Sequence, residues 1–212
     1  MGYQTPLSLR IPRTKVFTPI LCQHLLTCHS WITQTYYGSI GYATPAALGC
    51  EFALEELSVT NGKPRGRTVL VTGDGSLQLT AQEIGTMIAK RTRPVILLIN
   101  NAGYTIERVI HGAKQKYNDI SPWNYSQALR LFGMSEEEVG RSFFRAETKD
   151  ELNDIFAKQE VVQPSNVILV EIVMDKMDAP WRLVEQVATR GEESIRKMKE
   201  AGFKFRTPTA GK

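Results

Sequence analysis

Three short apolar runs constrain this chain more than any other feature. Thr68-Val-Leu-Val-Thr72, Pro94-Val-Ile-Leu-Leu-Ile99 and the stretch from Val167 to Met174 are β-branched and aliphatic with almost no polar alternation. A strand with one wet face alternates apolar and polar residues, whereas a strand that is apolar throughout is covered on both faces. Stretches with helical spacing lie around these runs. Thr44 to Leu57 opens with a threonine suited to an N-cap and a proline suited to the first helical position. Leu79 to Lys90 places Thr80 and Glu83 for a capping box, and Thr148 to Lys158 does the same with Thr148 and Glu151. Trp181 to Lys199 is long, charged and amphipathic, and Asn61-Gly-Lys-Pro-Arg-Gly66 is a loop of turn residues. Buried strands alternating with helices imply an α/β fold, a parallel sheet with helices on both faces.

Charge and cysteine content narrow the class. A net charge of +4 is too mild to argue for nucleic acid. No stretch reaches the roughly 18 consecutive apolar residues that a bilayer span requires. Three cysteines, Cys22, Cys28 and Cys50, form no secreted-type framework, which suits a reducing, cytoplasmic setting. Residues 1 to 50 contain no Asp or Glu but hold Arg10, Arg13 and Lys15. Such a start resembles a transit peptide, yet Pro6, Pro12 and Pro19 leave no amphipathic helix of useful length. Residues 1–33 therefore read as a poorly ordered lead-in, 34–205 as the domain and 206–212 as a loose tail. Cys22, His24, Cys28 and His29 lack the second ligand pair of a zinc finger.

The chemistry concentrates in two short motifs. Gly73-Asp74-Gly75 follows the first apolar run directly, and Asn100-Asn101 ends the second. In an open parallel sheet, ligands bind outside the carboxyl ends of the strands. Gly73 and Gly75 permit a tight turn and close backbone approach, and the Gly75 and Ser76 amides at a helix start suit a phosphate. A carboxylate from Asp74 and an amide oxygen from Asn101 are hard ligands, suited to Mg2+ shared with a diphosphate. The rival phosphate motifs are missing, because Gly62-Lys63 lacks the preceding glycine of a P-loop and Gly73-Asp-Gly75 is not followed by a third glycine.

The pair of motifs resembles the thiamine diphosphate signature. With Tyr37-Gly-Ser-Ile-Gly-Tyr-Ala-Thr-Pro-Ala-Ala-Leu-Gly49, GDGSLQLTAQEIGTMI and INNAGYTIERVIHGAKQKYNDI, residues 34 to 205 are similar to the pyruvate decarboxylases, in their form from filamentous fungi. The resemblance implies that thiamine diphosphate and Mg2+ are the cofactors and that a 2-oxo acid, pyruvate, is decarboxylated without oxidation. It implies that Asp74, Asn101 and the Gly103 carbonyl ligate the metal, and that Gly73, Gly75 and Ser76 adjoin the diphosphate. Ile40 would prop the bent cofactor, and the Gly38 carbonyl would receive its aminopyrimidine. Glu107 would be the active-site carboxyl, its pKa lifted by neighbours such as Ile106, Val109 and Ile110 so that it can give a proton near neutral pH. Ile106 and Ile110 would line the substrate pocket. Without the resemblance, Glu107 reads as an exposed carboxylate paired with Arg108 or with nothing.

The same resemblance implies an incomplete site. Family members carry a pyrimidine-binding domain that supplies the glutamate activating the cofactor, contributed by another subunit of a homo-oligomer, and this chain matches only the last domain. It therefore reads as a fragment holding the metal-diphosphate half. Two alternatives stay open: a non-catalytic truncated relative that binds cofactor or full-length subunits, and an indolepyruvate or phenylpyruvate decarboxylase.

Overall fold

A computed structural model of the chain describes residues 32, 37–62 and 64–205. Apart from residue 32, the expected lead-in lies outside these residues, as do the Cys22–His29 cluster and the tail. The described chain forms two compact units, one running through residue 100 and Pro122–Val173, the other through Asn101–Ser121 and from Met174 onward.

The first unit holds a four-stranded sheet. Its strands are β1 (Val69–Gly73), β2 (Val95–Asn100), β3 (Phe143–Ala146) and β4 (Ile168–Val173), in the order β1-β2-β4-β3, all parallel. The three apolar runs are β1, β2 and β4, and the two central strands, β2 and β4, are the ones buried on both faces. Ile96, Leu97, Leu98, Leu169 and Val170 are fully buried, so consecutive residues on opposite faces of the sheet are both out of water. Ile96, Leu98 and Leu169 pack in one cluster with Ala47 and Leu48 of helix α1 (Ala43–Asn61), Leu77 of α2 (Asp74–Thr80) and Ile84 and Met87 of α3 (Glu83–Ala89).

Several boundaries differ from the sequence expectation. The helix expected from Leu79 to Lys90 starts earlier, at Asp74, and is interrupted at Ala81 and Gln82. Thr80 and Glu83 form no capping box; the Thr80 hydroxyl donates to the Gly41 carbonyl at 2.9 Å instead. Helix α1 begins at Ala43, so Thr44 is inside its first turn and fully buried rather than capping it. Helices α4 (Thr105–His111), α5 (Ala128–Leu131), α6 (Glu136–Ser142), α7 (Lys149–Phe156) and α8 (Gln159–Val162) follow along the chain. The Thr148 capping box at α7 forms as its spacing predicts, with Thr148 Oγ1 accepting from the Glu151 amide and the Glu151 carboxylate accepting from the Thr148 amide at 3.0 Å. Strand β3 was not anticipated, because Phe-Phe-Arg-Ala is too short and mixed to show a period. The long helix expected from Trp181 to Lys199 is two, α9 (Trp181–Ala188) and α10 (Glu192–Glu200), parted where Gly191 takes a φ of 121°.

One buried carboxylate stitches the amino-terminal edge of the sheet. Glu51 of α1, 1% exposed, pairs with Arg65 at 2.9 Å and accepts from the backbone amides of Thr68 and Arg93, each just ahead of a strand. These partners satisfy a charge that would otherwise be costly to bury.

Candidate functional site

The first motif sits at the carboxyl end of the sheet. Gly73 is the last residue of β1 and is in register with Ile99 of the neighbouring strand β2. Asp74 and Asn100 therefore stand at adjacent strand ends, and Asn101 follows at once along the chain. Asp74 is 2% exposed, opens helix α2, and its Oδ1 accepts from the Gly75 amide at 2.8 Å.

The segment carrying Gly38 and Ile40 is fastened to α2 through Gly41. The Gly41 amide donates to Ser76 Oγ at 2.9 Å while its carbonyl receives the Thr80 hydroxyl. Gly41 has a φ of 89°, and a Cβ there would lie 3.0 Å from Leu79 Cβ, so both conformation and space call for glycine. Ser76 thus has a structural task beside the one its motif implies. Ile40 is 54% exposed, and Gly38 is exposed as well.

Two residues at this sheet end escaped the sequence reading. Glu171, buried in β4, accepts from Asn100 Nδ2 at 2.6 Å and approaches Arg145 Nε at 3.4 Å. Its signal was available: a lone glutamate in an otherwise apolar strand run has to be paired. Tyr125, also buried, has its hydroxyl 3.4 Å from Gln78 Nε2, and burial pushes its pKa up to about 12, with the Asp74 and Glu171 charges adding to the effect.

The second motif opens the other unit, where a polar clamp governs it. Ala102 has a φ of 56°, a left-handed conformation that costs an alanine roughly 1–2 kcal/mol. Gly103 has a φ of 125°, and a Cβ would fall 2.2 Å from the Asn118 carbonyl oxygen and 2.8 Å from the Arg108 guanidinium. Arg108, 1% exposed, donates to the carbonyls of Asn101 (3.4 Å), Ala102 (2.5 Å) and Asn118 (3.2 Å), to Thr105 Oγ1 (3.3 Å) and to Asp119 Oδ1 (2.7 Å). The Arg108 hydrogen bond, with a second from Lys176, holds the Asp119 carboxyl below the usual carboxylate range. Arg108 is thus committed to this loop and not to Glu107. The Glu107 side chain is 41% exposed and lies 3.2 Å from His111 Nε2. Val109 is buried and Ile110 partly buried in a cluster with Val184, Val187, Met198 and Phe203, while Ile106 is 54% exposed. Within their own unit, then, these apolar neighbours do not enclose Glu107, nor do Ile106 and Ile110 share one environment.

Among the described residues, no group of three or more His, Cys, Asp or Glu side chains converges as a metal site. The set drawn from the motifs is of another kind: one carboxylate, one side-chain amide and one backbone carbonyl. No helix of the described chain is long and apolar enough to cross a membrane.

Comparison with known proteins decides the family. The model of the thiamine pyrophosphate enzyme C-terminal TPP-binding domain matches residues 18–171, well over half of the chain. The chain belongs to this family. The match starts inside the stretch read as a lead-in. Pyruvate decarboxylase from Candida albicans is 45% identical over 156 residues, 73% of this chain and 26% of the relative. The enzyme of the same name from Candida glabrata is 43% identical over 155 residues, again 73% and 26%. The chain thus spans about a quarter of the length of the curated relatives it matches. Among solved structures, benzoylformate decarboxylase from Polynucleobacter necessarius superposes with a TM-score of 0.53 at 24% identity, over 68% of this chain and 25% of that one. That likeness bears on the fold, a parallel sheet with helices of the family's C-terminal domain type.

Proposed function

We propose that this chain supplies the metal- and diphosphate-holding part of a thiamine diphosphate-dependent 2-oxo acid decarboxylase, with pyruvate as substrate. The observation that carries the reading is the register of β1 and β2, which sets Asp74, just past the end of β1, level with Asn100, the last residue of the adjacent parallel strand, with Asn101 next along the chain. The donors fit the ion: the Asp74 carboxylate, the Asn101 side-chain oxygen and the Gly103 carbonyl are hard oxygen ligands of the kind Mg2+ takes together with phosphate. The main chain around Gly103 is too tight for any side chain, as a ligand offered by a backbone carbonyl in a fixed loop requires. Gly73, Gly75 and Ser76 adjoin the diphosphate, and Gly38 and Ile40 support the rest of the cofactor. When bound, thiamine diphosphate supplies the electron sink for loss of CO2. Glu107 is the residue of this chain that would hold a proton for the product-forming step. The pyrimidine-binding domain of another subunit in a homo-oligomer completes the site, and the setting is cytoplasmic.

The experiment is calorimetric titration of the chain with thiamine diphosphate and Mg2+, repeated with Asp74→Ala. Binding by the wild type that is lost in the variant supports the reading. Equal binding in both, or none in either, defeats it. A second reading, a non-catalytic relative that binds cofactor or intact subunits, is favoured by the exposed setting of Glu107 beside His111. It gains if the chain binds both cofactors yet yields no acetaldehyde when mixed with full-length decarboxylase subunits whose own Glu107 equivalent is removed. The aryl-pyruvate alternatives would be separated by the same mixture assayed with phenylpyruvate.

A further inference from the structure

Arg108 is a buried cation on a short helix, and nothing in the proposed chemistry uses its charge. A guanidinium has five N–H donors in a rigid plane. Here its two terminal nitrogens reach three carbonyls, one hydroxyl and one carboxylate, Nη1 two of these acceptors and Nη2 the other three, and two of the carbonyls belong to Asn101 and Ala102. The third, that of Asn118, also receives the Tyr104 amide at 2.9 Å, so both sides of Gly103 are fastened to one point. Asn118 is itself 1% exposed, and its side chain donates to the Gly112 carbonyl at 3.0 Å. The clamp therefore has a fixed floor. What it restrains is the strained part of the loop: Ala102 in the left-handed region and Gly103 with no room for a Cβ.

Resting on the reading above, we infer that Arg108 is the positioning residue for the Asn101–Gly103 loop, holding Ala102 left-handed so that Asn101 and the Gly103 carbonyl are set in advance for Mg2+. Its charge is balanced by Asp119, which Lys176 Nζ also approaches at 3.3 Å, so the guanidinium is spent on geometry and not on attracting an anion. A lysine would keep the charge but not the planar fork. A glycine at position 102 would remove the left-handed penalty that the clamp opposes.

The test is titration of Mg2+ into the 212-residue chain at saturating thiamine diphosphate, read by calorimetry. The variants are Arg108→Lys, Arg108→Gln, Arg108→Gln with Ala102→Gly, and Asp74→Ala, each with thermal unfolding of the metal-free chain. Removing the outer partners of metal ligands weakens affinity about 10- to 100-fold, and that loss is expected for both Arg108 single variants. Ala102→Gly is expected to recover much of it, together with a modest rise in the unfolding midpoint of the metal-free chain as the left-handed penalty is removed. Wild-type Mg2+ affinity in folded Arg108→Lys, or no recovery on adding Ala102→Gly, overturns the proposal. If Arg108→Gln does not fold, the lysine variant alone decides. Loss of binding in Asp74→Ala with unchanged binding in the Arg108 variants sinks the clamp and leaves the metal site standing. Equal binding in wild type and Asp74→Ala, or none in either, removes the metal site and the clamp with it.

Discussion

The two halves of the signature are held by opposite means. Asp74 leaves a strand whose neighbours are aliphatic side chains with almost no exposure, and its position is set by the register of β1 on β2. Asn101 to Gly103 leave that sheet and enter a loop whose shape is dictated by hydrogen bonds to one guanidinium. Apolar packing is strong and non-directional, so it fixes where a strand ends but not how the next peptide is turned. A polar clamp adds little net stability, since each bond replaces one to water, but it specifies direction.

The comparison breaks most decisively in the sheet. Leu97→Ala, at a fully buried position of β2, is expected to cost about 3–5 kcal/mol through lost transfer energy and a residual cavity, measured by urea unfolding. A loss under about 1 kcal/mol would mean that the sheet is not the rigid element. Thr148→Ala removes one half of the capping box at α7 and should cost about 1 kcal/mol by the same measurement. That smaller figure checks that local polar bonds contribute less than core burial.

The subtlest difference is in pH dependence. Asp119 has a lowered folded pKa, caused first by the Arg108 hydrogen bond, so its contribution is fully present above the ordinary carboxylate value. It is lost as pH falls through the depressed folded value. Hydrogen-exchange protection of the Tyr104 amide, which donates to Asn118, should therefore fall on acidification ahead of that of Leu97 in β2. Parallel loss at both amides would show that the loop and the sheet open together, and would erase the distinction.

The sequence carried most of the first unit. β1, β2 and β4 were legible because burial on both faces leaves a nearly continuous apolar run, and the Thr148 capping box because it is closed by residues three apart. The break after Thr80 was not legible, since that hydroxyl is claimed by Gly41, 39 positions earlier in the chain. β3 was hidden by its four-residue length. Both motifs stood out by their place after apolar runs, yet Arg108 could not be singled out, because an arginine in a mixed helix reads as a solvated charge.

By itself, then, the sequence determined the layered α/β architecture, the family, and the placement of Asp74 and Asn101 after the ends of β1 and β2. These follow from local pattern and from the fixed period of strands and helices. Only the tertiary structure decided that Glu171 takes up Asn100 and that Arg108 closes on Ala102 and Asn118. A side chain's hydrogen-bond partners depend on which backbone groups the fold leaves within about 3 Å of it, and no spacing along the chain encodes that.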